Sequence, residues 1–140
     1  MENFKHTDLT EKIIRSAFEV YNYFGGPGFL ESVYEKALAI ELRKNNLKVD
    51  TQSPISVFYK SELVGDFRAD LIVNDIVIVE LKSVSEIQEI HEVQLVNYLR
   101  ATPIEVGLLF NFGNDEKLQI KRRVFSNWRK VEYGRLPENE

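Results

Sequence analysis

The sequence predicts an α/β fold: a central mixed β-sheet of four or more strands, flanked by helices, with an extra helix at the N-terminus. Three observations predict it. Apolar residues recur at helical spacing in three stretches, Leu9 to Phe24, Leu30 to Leu42 and Ile90 to Leu99. Runs rich in Val, Ile and Leu, at Leu71–Val73, Ile76–Val79 and Val106–Phe112, have the unbroken apolar character of strands covered on both faces. The third helical stretch lies between two of those runs, as in a right-handed crossover joining parallel strands.

Taken in order, Thr7 can cap a first helix with Asp8 in its first turn, and Leu9, Ile13, Ala17, Phe18, Tyr21 and Phe24 carry its stripe, which gives a helix from Asp8 to Phe24. Gly25-Gly26-Pro27-Gly28 ends it with a sharp turn. A second helix follows through Leu30, Val33, Tyr34, Ala37, Leu38 and Leu42, with Asn45-Asn46 at its end. Leu47–Gln52 and Ile55–Tyr59 are expected as two short strands about Pro54. Lys60-Ser61-Glu62 turns the chain into a strand through Leu63, Val64 and Phe67 to Asp70, and Asn74-Asp75 is turn chemistry before the run ending at Lys82. The third helix ends near Thr102-Pro103. Val106–Phe112 is closed by Gly113-Asn114, and Leu118, Ile120 and Val124 mark one more strand. Phe125 to Leu136 carries no periodicity that assigns it.

At 140 residues the chain is expected to form one domain, 1–140, with a core that needs no staples. The absence of cysteine excludes disulfides and thiolate chemistry, and a zinc site would have only two histidines and carboxylates to draw on. No apolar run approaches the ~20 residues of a membrane span, and the first residues lack a signal-peptide plan, so a cytoplasmic protein is expected. The net charge of −4 is unevenly spread: Lys117 to Arg135 holds seven basic residues against one acid, Glu132. That basic segment, 117–135, suits phosphate binding at one edge or a solvated basic face equally well.

Three charges stand where a core would want none: Asp70, Glu80 and Lys82, in the stretch GDFRADLIVNDIVIVELKS. Burying any of them unpaired costs several kcal/mol by the usual order of magnitude. Glu80 and Lys82, two residues apart in a strand, leave the same face. Whether Asp70 joins them depends on the hairpin. A two-residue turn at Asn74-Asp75 pairs Asp70 with Val79, pointing away from Glu80; a three-residue loop, Asn74 to Ile76, sets Asp70 opposite Glu80 and Arg68 opposite Lys82. Adjacent carboxylates raise one another's proton affinity unless a hard divalent cation lies between them, and magnesium suits such ligands while keeping positions for water and a phosphate oxygen. The Lys82 ammonium can then orient or deprotonate the attacking water, or neutralise charge on phosphorus. The same spacing also fits an Asp70–Lys82 or Glu80–Lys82 ion pair.

Asp70 followed by Glu80-Leu81-Lys82 resembles the signature of the PD-(D/E)XK nuclease superfamily, and Gly28-Phe29-Leu30-Glu31-Ser32-Val33-Tyr34 matches G-x-x-E-x-x-Y, the pattern of the GxxExxY protein family within it. The similarity runs through PGFLESVYEKALAIEL, FRADLIV, VIVELKSV, HEVQLVNYL and GLLFNFG, nearly from Asp8 to Val124; Ala69 stands where the superfamily name has proline. The resemblance implies a restriction-endonuclease-like core and a metal-dependent nuclease, cutting phosphodiester bonds of DNA or RNA. It makes Asp70 and Glu80 ligands of Mg2+ (or Mn2+), Lys82 the catalytic lysine and Glu31 a further, helix-borne metal ligand. Gln94 with Tyr98 resembles the Q-x-x-x-Y element of RecB-like nucleases, and on a helix the two share one face.

The supporting residues have second readings. Glu31 suits any helix start through the macrodipole, Gln94 and Tyr98 suit a half-buried helix face, and Tyr34 suits a core with its hydroxyl wet. His91 can cap the third helix or contact phosphate. Arg68, two residues before Asp70, is the better phosphate ligand, and Gly28 is expected as the hinge that lets Glu31 approach the sheet. The expected partner is nucleic acid, DNA ahead of RNA, with no membrane. A homodimer would double the basic surface, although nothing in the sequence requires it. From another class stands a non-catalytic nucleic-acid- or protein-binding module on the same scaffold, and metal binding separates the two.

Overall fold

The computed structural model describes residues 5–132. Its elements are α1 (Thr7–Phe24), α2 (Glu31–Lys44), β1 (Val49–Tyr59), β2 (Glu62–Val73), β3 (Val77–Lys82), α3 (Glu89–Arg100), β4 (Val106–Asn111), β5 (Gln119–Val124) and α4 (Asn127–Glu132). The five strands form one sheet in the order β1-β2-β3-β4-β5, antiparallel throughout except for β3 and β4. Those two pair in parallel from Val77 with Val106 to Lys82 with Asn111, joined through α3 as the alternation of apolar runs requires. The fold is therefore the expected α/β architecture with a mixed sheet.

Alternation along the buried strands decides the layers. Val77, Val79 and Leu81 of β3, with Leu108 and Phe110 of β4, meet Ile13, Ala17, Leu38 and Leu42 of α1 and α2. Ile78 and Leu109 point the other way, to Leu95, Tyr98 and Leu99 of α3. Both faces of the two central strands are thus covered, which is why their sequences read as unbroken apolar runs. Among the described residues no helix is long and apolar enough to cross a membrane.

Several expectations need correction. Thr7 does not cap α1: the cap position falls on His6 in a left-handed conformation (φ 55°), and Thr7 lies inside the helix, its carbonyl accepting the Thr10 hydroxyl. The two short strands around Pro54 are one strand. Pro54 is tolerated there because β1 is the sheet edge, where an absent N–H breaks no inner ladder. Phe125 onward contributes Phe125 to the α3 core and then α4. Three basic residues of the 117–135 segment are engaged by the protein itself: Lys130 is wholly buried with its Nζ donating to the Thr102 and Ile104 carbonyls, Arg122 donates to the Lys5 carbonyl, and Arg123 pairs with Glu92. Lys117 and Lys121 are exposed. Arg135 lies outside the described residues.

Candidate active site

The site begins with the β2–β3 hairpin. Val73 pairs with Val77, Ile72 with Ile78 and Leu71 with Val79, so the loop has three residues, Asn74, Asp75 and Ile76. Asn74 and Asp75 take positive φ (52° and 58°), conformations that Asn and Asp tolerate better than most residues. Asn74 is tied to the chain before β1, accepting the Lys48 N–H and donating to the Lys48 carbonyl, while Asp75 takes the Lys48 ammonium. This odd-numbered loop carries the register on to Asp70 opposite Glu80.

At that pair the ladder stops and the carboxylates replace it. The Asp70 N–H donates to Glu80 Oε2 at 2.8 Å, and the Leu81 N–H donates to Asp70 Oδ2 at 2.9 Å. Each acid thus satisfies a backbone donor of the other's strand, and both side chains are locked in the mouth of the parting strands. The parting also turns β2: Leu71 belongs to the core under α1 and α2, whereas Ala69, two residues away, packs with α3. The pair is consequently within reach of both helical layers.

From one side comes the start of α2. Gly28, at φ 142°, gives the preceding turn a conformation that a side chain would strain although space for a Cβ exists. Tyr34 fixes that turn. Its ring is wholly buried and stacked on Phe112 at 4.6 Å, and its hydroxyl donates to the Gly26 carbonyl while accepting the Phe29 N–H. Tyr34 therefore lies away from the acids and serves them through the turn, its hydroxyl bonded to backbone rather than wet. The Ser83 hydroxyl, just past β3, donates to the Phe29 carbonyl and ties turn to sheet. Glu31 then enters at the first residue of α2, within electrostatic range of Lys82, Asp70 and Glu35.

From the other side come Gln94 and Tyr98 of α3, with Gln94 Nε2 donating to the Tyr98 hydroxyl at 2.7 Å. Burial pushes the Tyr98 phenol up, and the nearby Glu80 and Asp70 carboxylates add to this. His91 Nδ1 accepts the N–H of Gln88, the cap residue of α3, and so completes a capping box from within the first turn. Arg68 is exposed, its Nη1 donating to the Gln52 carbonyl at 3.1 Å.

The electrostatics are those of acids crowded out of water. Burial, then Asp70, pushes the Glu80 carboxyl up to about 8. Burial also raises Asp70, against the pull of the Leu81 N–H, and raises Glu31, against the pull of Lys82. Yet among the described residues no ion pair joins Lys82 to an acid, so neither the Asp70–Lys82 nor the Glu80–Lys82 pair forms. Lys82 is left half-buried beside three carboxylates, Asp70, Glu80 and Glu31, with no ion pair to any of them.

Could this donor set hold a metal? Among the described residues no three acidic or histidine side chains are gathered into a ready-made shell. Asp70 and Glu80 are each fixed by a backbone N–H of the other's strand, one oxygen apiece being engaged in this way. That suits magnesium, which is usually held by one or two carboxylates and completes its shell with water and phosphate. The all-oxygen chemistry and the raised proton affinity of the acids fit a hard divalent cation.

A family model described as the PD-(D/E)XK nuclease superfamily matches residues 7–123. The chain belongs to the PD-(D/E)XK nuclease superfamily. Nucleases of this superfamily generally use divalent metals and act on nucleic acid. Among solved structures, this PD-(D/E)XK chain is similar to the crystal structure of SSO0001, with a TM-score of 0.53 and 17% identity, over 74% of this chain and 55% of that one, a likeness of fold. The comparison with curated proteins finds no match.

Two residues of the site were not expected. Glu35 lies one turn after Glu31 on α2, in hydrogen-bonding reach of Asp70, with its own carboxyl raised by burial. Gln52 bridges them: its Nε2 donates to Glu35 Oε1 at 3.0 Å and to Asp70 Oδ1 at 3.3 Å, from a backbone at φ 50° within β1. The i, i+4 spacing of Glu31 and Glu35 was a usable signal. Nothing in the sequence pointed to Gln52.

Proposed function

We propose that this protein hydrolyses phosphodiester bonds of DNA or RNA in a reaction that depends on Mg2+ or Mn2+, and that it is a GxxExxY-type member of its superfamily. The observation that carries this reading is the three-residue hairpin loop: it sets Asp70 opposite Glu80, with Lys82 on the same strand face as Glu80. Asp70 and Glu80 would hold the cation, with Glu31 and Glu35 adding negative charge around it. When bound, the cation supplies positive charge at the phosphate and makes nearby water more acidic. Gln52 holds the Asp70 carboxylate through Oδ1, and the Leu81 and Asp70 N–H groups fix Asp70 Oδ2 and Glu80 Oε2. Lys82, which makes no ion pair among the described residues, donates to the attacking water or to a phosphate oxygen as charge builds there. Arg68 and Tyr98 would hold the flanking phosphates in this reading.

Calorimetric titration with Mg2+ or Mn2+ tests the metal step. Binding that Asp70→Asn and Glu80→Gln both abolish supports it; no binding at millimolar metal would favour a module that binds without cutting.

A further inference from the structure

Beside the acids, between the twisted β1–β2 hairpin and α3, lies an open cleft of about 700 Å3. Its walls are apolar and aromatic: Phe58 and Phe67 from the hairpin, Ile90, Val93 and Tyr98 from α3. Soluble proteins do not ordinarily hold such groups open to water together, yet Phe58 is 57% exposed, Ile90 66% and Phe67 45%. The cleft is built by backbone devices. The β1–β2 register slips between Val57 and Phe58, so that these consecutive residues both line it instead of pointing to opposite faces. At Gly65 a Cβ would stand 2.8 Å from the Phe67 ring, so only glycine lets that ring lie across its own strand toward Tyr98, 5.8 Å away between centroids.

Tyr98 is the wall that cleft and acids share, its hydroxyl near Asp70 and Glu80 and its ring in the cleft. Gln94 and Asn97 add amide groups, which can bond to the edge of a flat heterocycle. The volume lies within the ~300–1,000 Å3 of small-ligand sites, enough for a nucleobase with its sugar. We infer that this cleft is a nucleobase subsite, receiving an unpaired base next to the phosphodiester to be cut, and that the substrate is accordingly a single-stranded segment of nucleic acid. A base stacked in a duplex has no face to offer Phe58 or Phe67; an unpaired one does, whatever its identity. The inference rests on the phosphodiesterase reading for the position of the scissile bond.

The test is fluorescence anisotropy in EDTA, where no cutting occurs, with labelled hexathymidylate, an abasic hexamer of the same charge and a blunt duplex. The protein should bind hexathymidylate about tenfold or more tightly than either of the others. Phe58→Ala, which removes a wall, and Val93→Trp, which fills the cleft, should each erase most of that preference and leave the abasic affinity unchanged, with unchanged thermal midpoints. Equal affinity for base-bearing and abasic oligomers, no binding of either, or a preference that survives both substitutions would overturn the inference. So would a dimer of this chain that both substitutions dissolve. Because binding is read without metal, such a failure leaves the nuclease reading standing, whereas intact base preference without Mg2+-dependent cutting of any substrate would remove the nuclease reading alone.

Discussion

Replacing Glu80 with glutamine should stabilise the metal-free protein at neutral pH and flatten its pH dependence. Glu80 is 4% exposed and its carboxyl is pushed up to about 8, against 4.5 in an unfolded chain. Between those values the folded protein keeps a proton that the unfolded chain has lost. Stability therefore falls as pH rises, by about 1.4 kcal/mol per pH unit for one such group. By pH 7.5 the accumulated loss is roughly 2 to 4 kcal/mol, taking the lower end for the coupling between Glu80 and Asp70. Glutamine does not ionise, and its carbonyl oxygen can still accept the Asp70 N–H that Glu80 Oε2 accepts. Asp70, Glu31 and Glu35 are raised in the same direction, so the difference between wild type and variant isolates Glu80. Urea denaturation in EDTA from pH 5 to 8 measures it. The variant should match the wild type near pH 5 and exceed it by roughly 2 to 4 kcal/mol at pH 7.5, and saturating Mg2+ should restore the wild type more than the variant. A variant that is the less stable at pH 7.5, or a difference that does not change with pH, would refute the reasoning.

Lys82→Ala should leave the stability within about 1 kcal/mol of wild type, because no ion pair is broken, while slowing cleavage by ~100-fold or more and leaving Mg2+ affinity equal or higher. A large loss of thermal midpoint with unchanged activity per folded molecule would make Lys82 structural. Tyr34→Phe keeps the stacked ring but strands the Phe29 N–H and the Gly26 carbonyl, for a loss of roughly 1–3 kcal/mol on denaturation. Burial holds the Lys130 ammonium down to about 8, so between that pH and the ordinary lysine value of 10.5 the unfolded chain binds a proton that the folded one lacks, and stability from this group rises with pH; Lys130→Met should abolish the rise between pH 8 and 9.5.

What was legible in the sequence followed from short-range rules. Helical spacing placed α1, α2 and α3, and the doubly buried runs placed β3 and β4. The strand period stated the condition under which Asp70 meets Glu80, but two residues of turn chemistry, Asn74-Asp75, did not say that Ile76 belongs to the loop. That was settled by packing: Val77 and Val79 go to the α1–α2 core, which leaves Glu80 on the opposite face. Gln52 was out of reach because its role depends on a backbone at φ 50° and on partners 17 and 18 residues away. The basic segment was left undecided by the sequence for a related reason. Charge in a sequence does not say which cations are engaged, and Lys130 and Arg123 bind the protein itself.

Strand cutting tests the central claim most directly. Labelled single-stranded and duplex DNA and RNA are incubated with wild type and Asp70→Asn, in Mg2+ and in EDTA. Asparagine can still accept the Leu81 N–H through its carbonyl, so the fold is kept while a ligand charge is lost. The account predicts Mg2+-dependent cleavage by the wild type, absent in EDTA and reduced ~100-fold or more by the substitution. Cleavage that Asp70→Asn leaves untouched, or none by the wild type on any of these substrates, would contradict it.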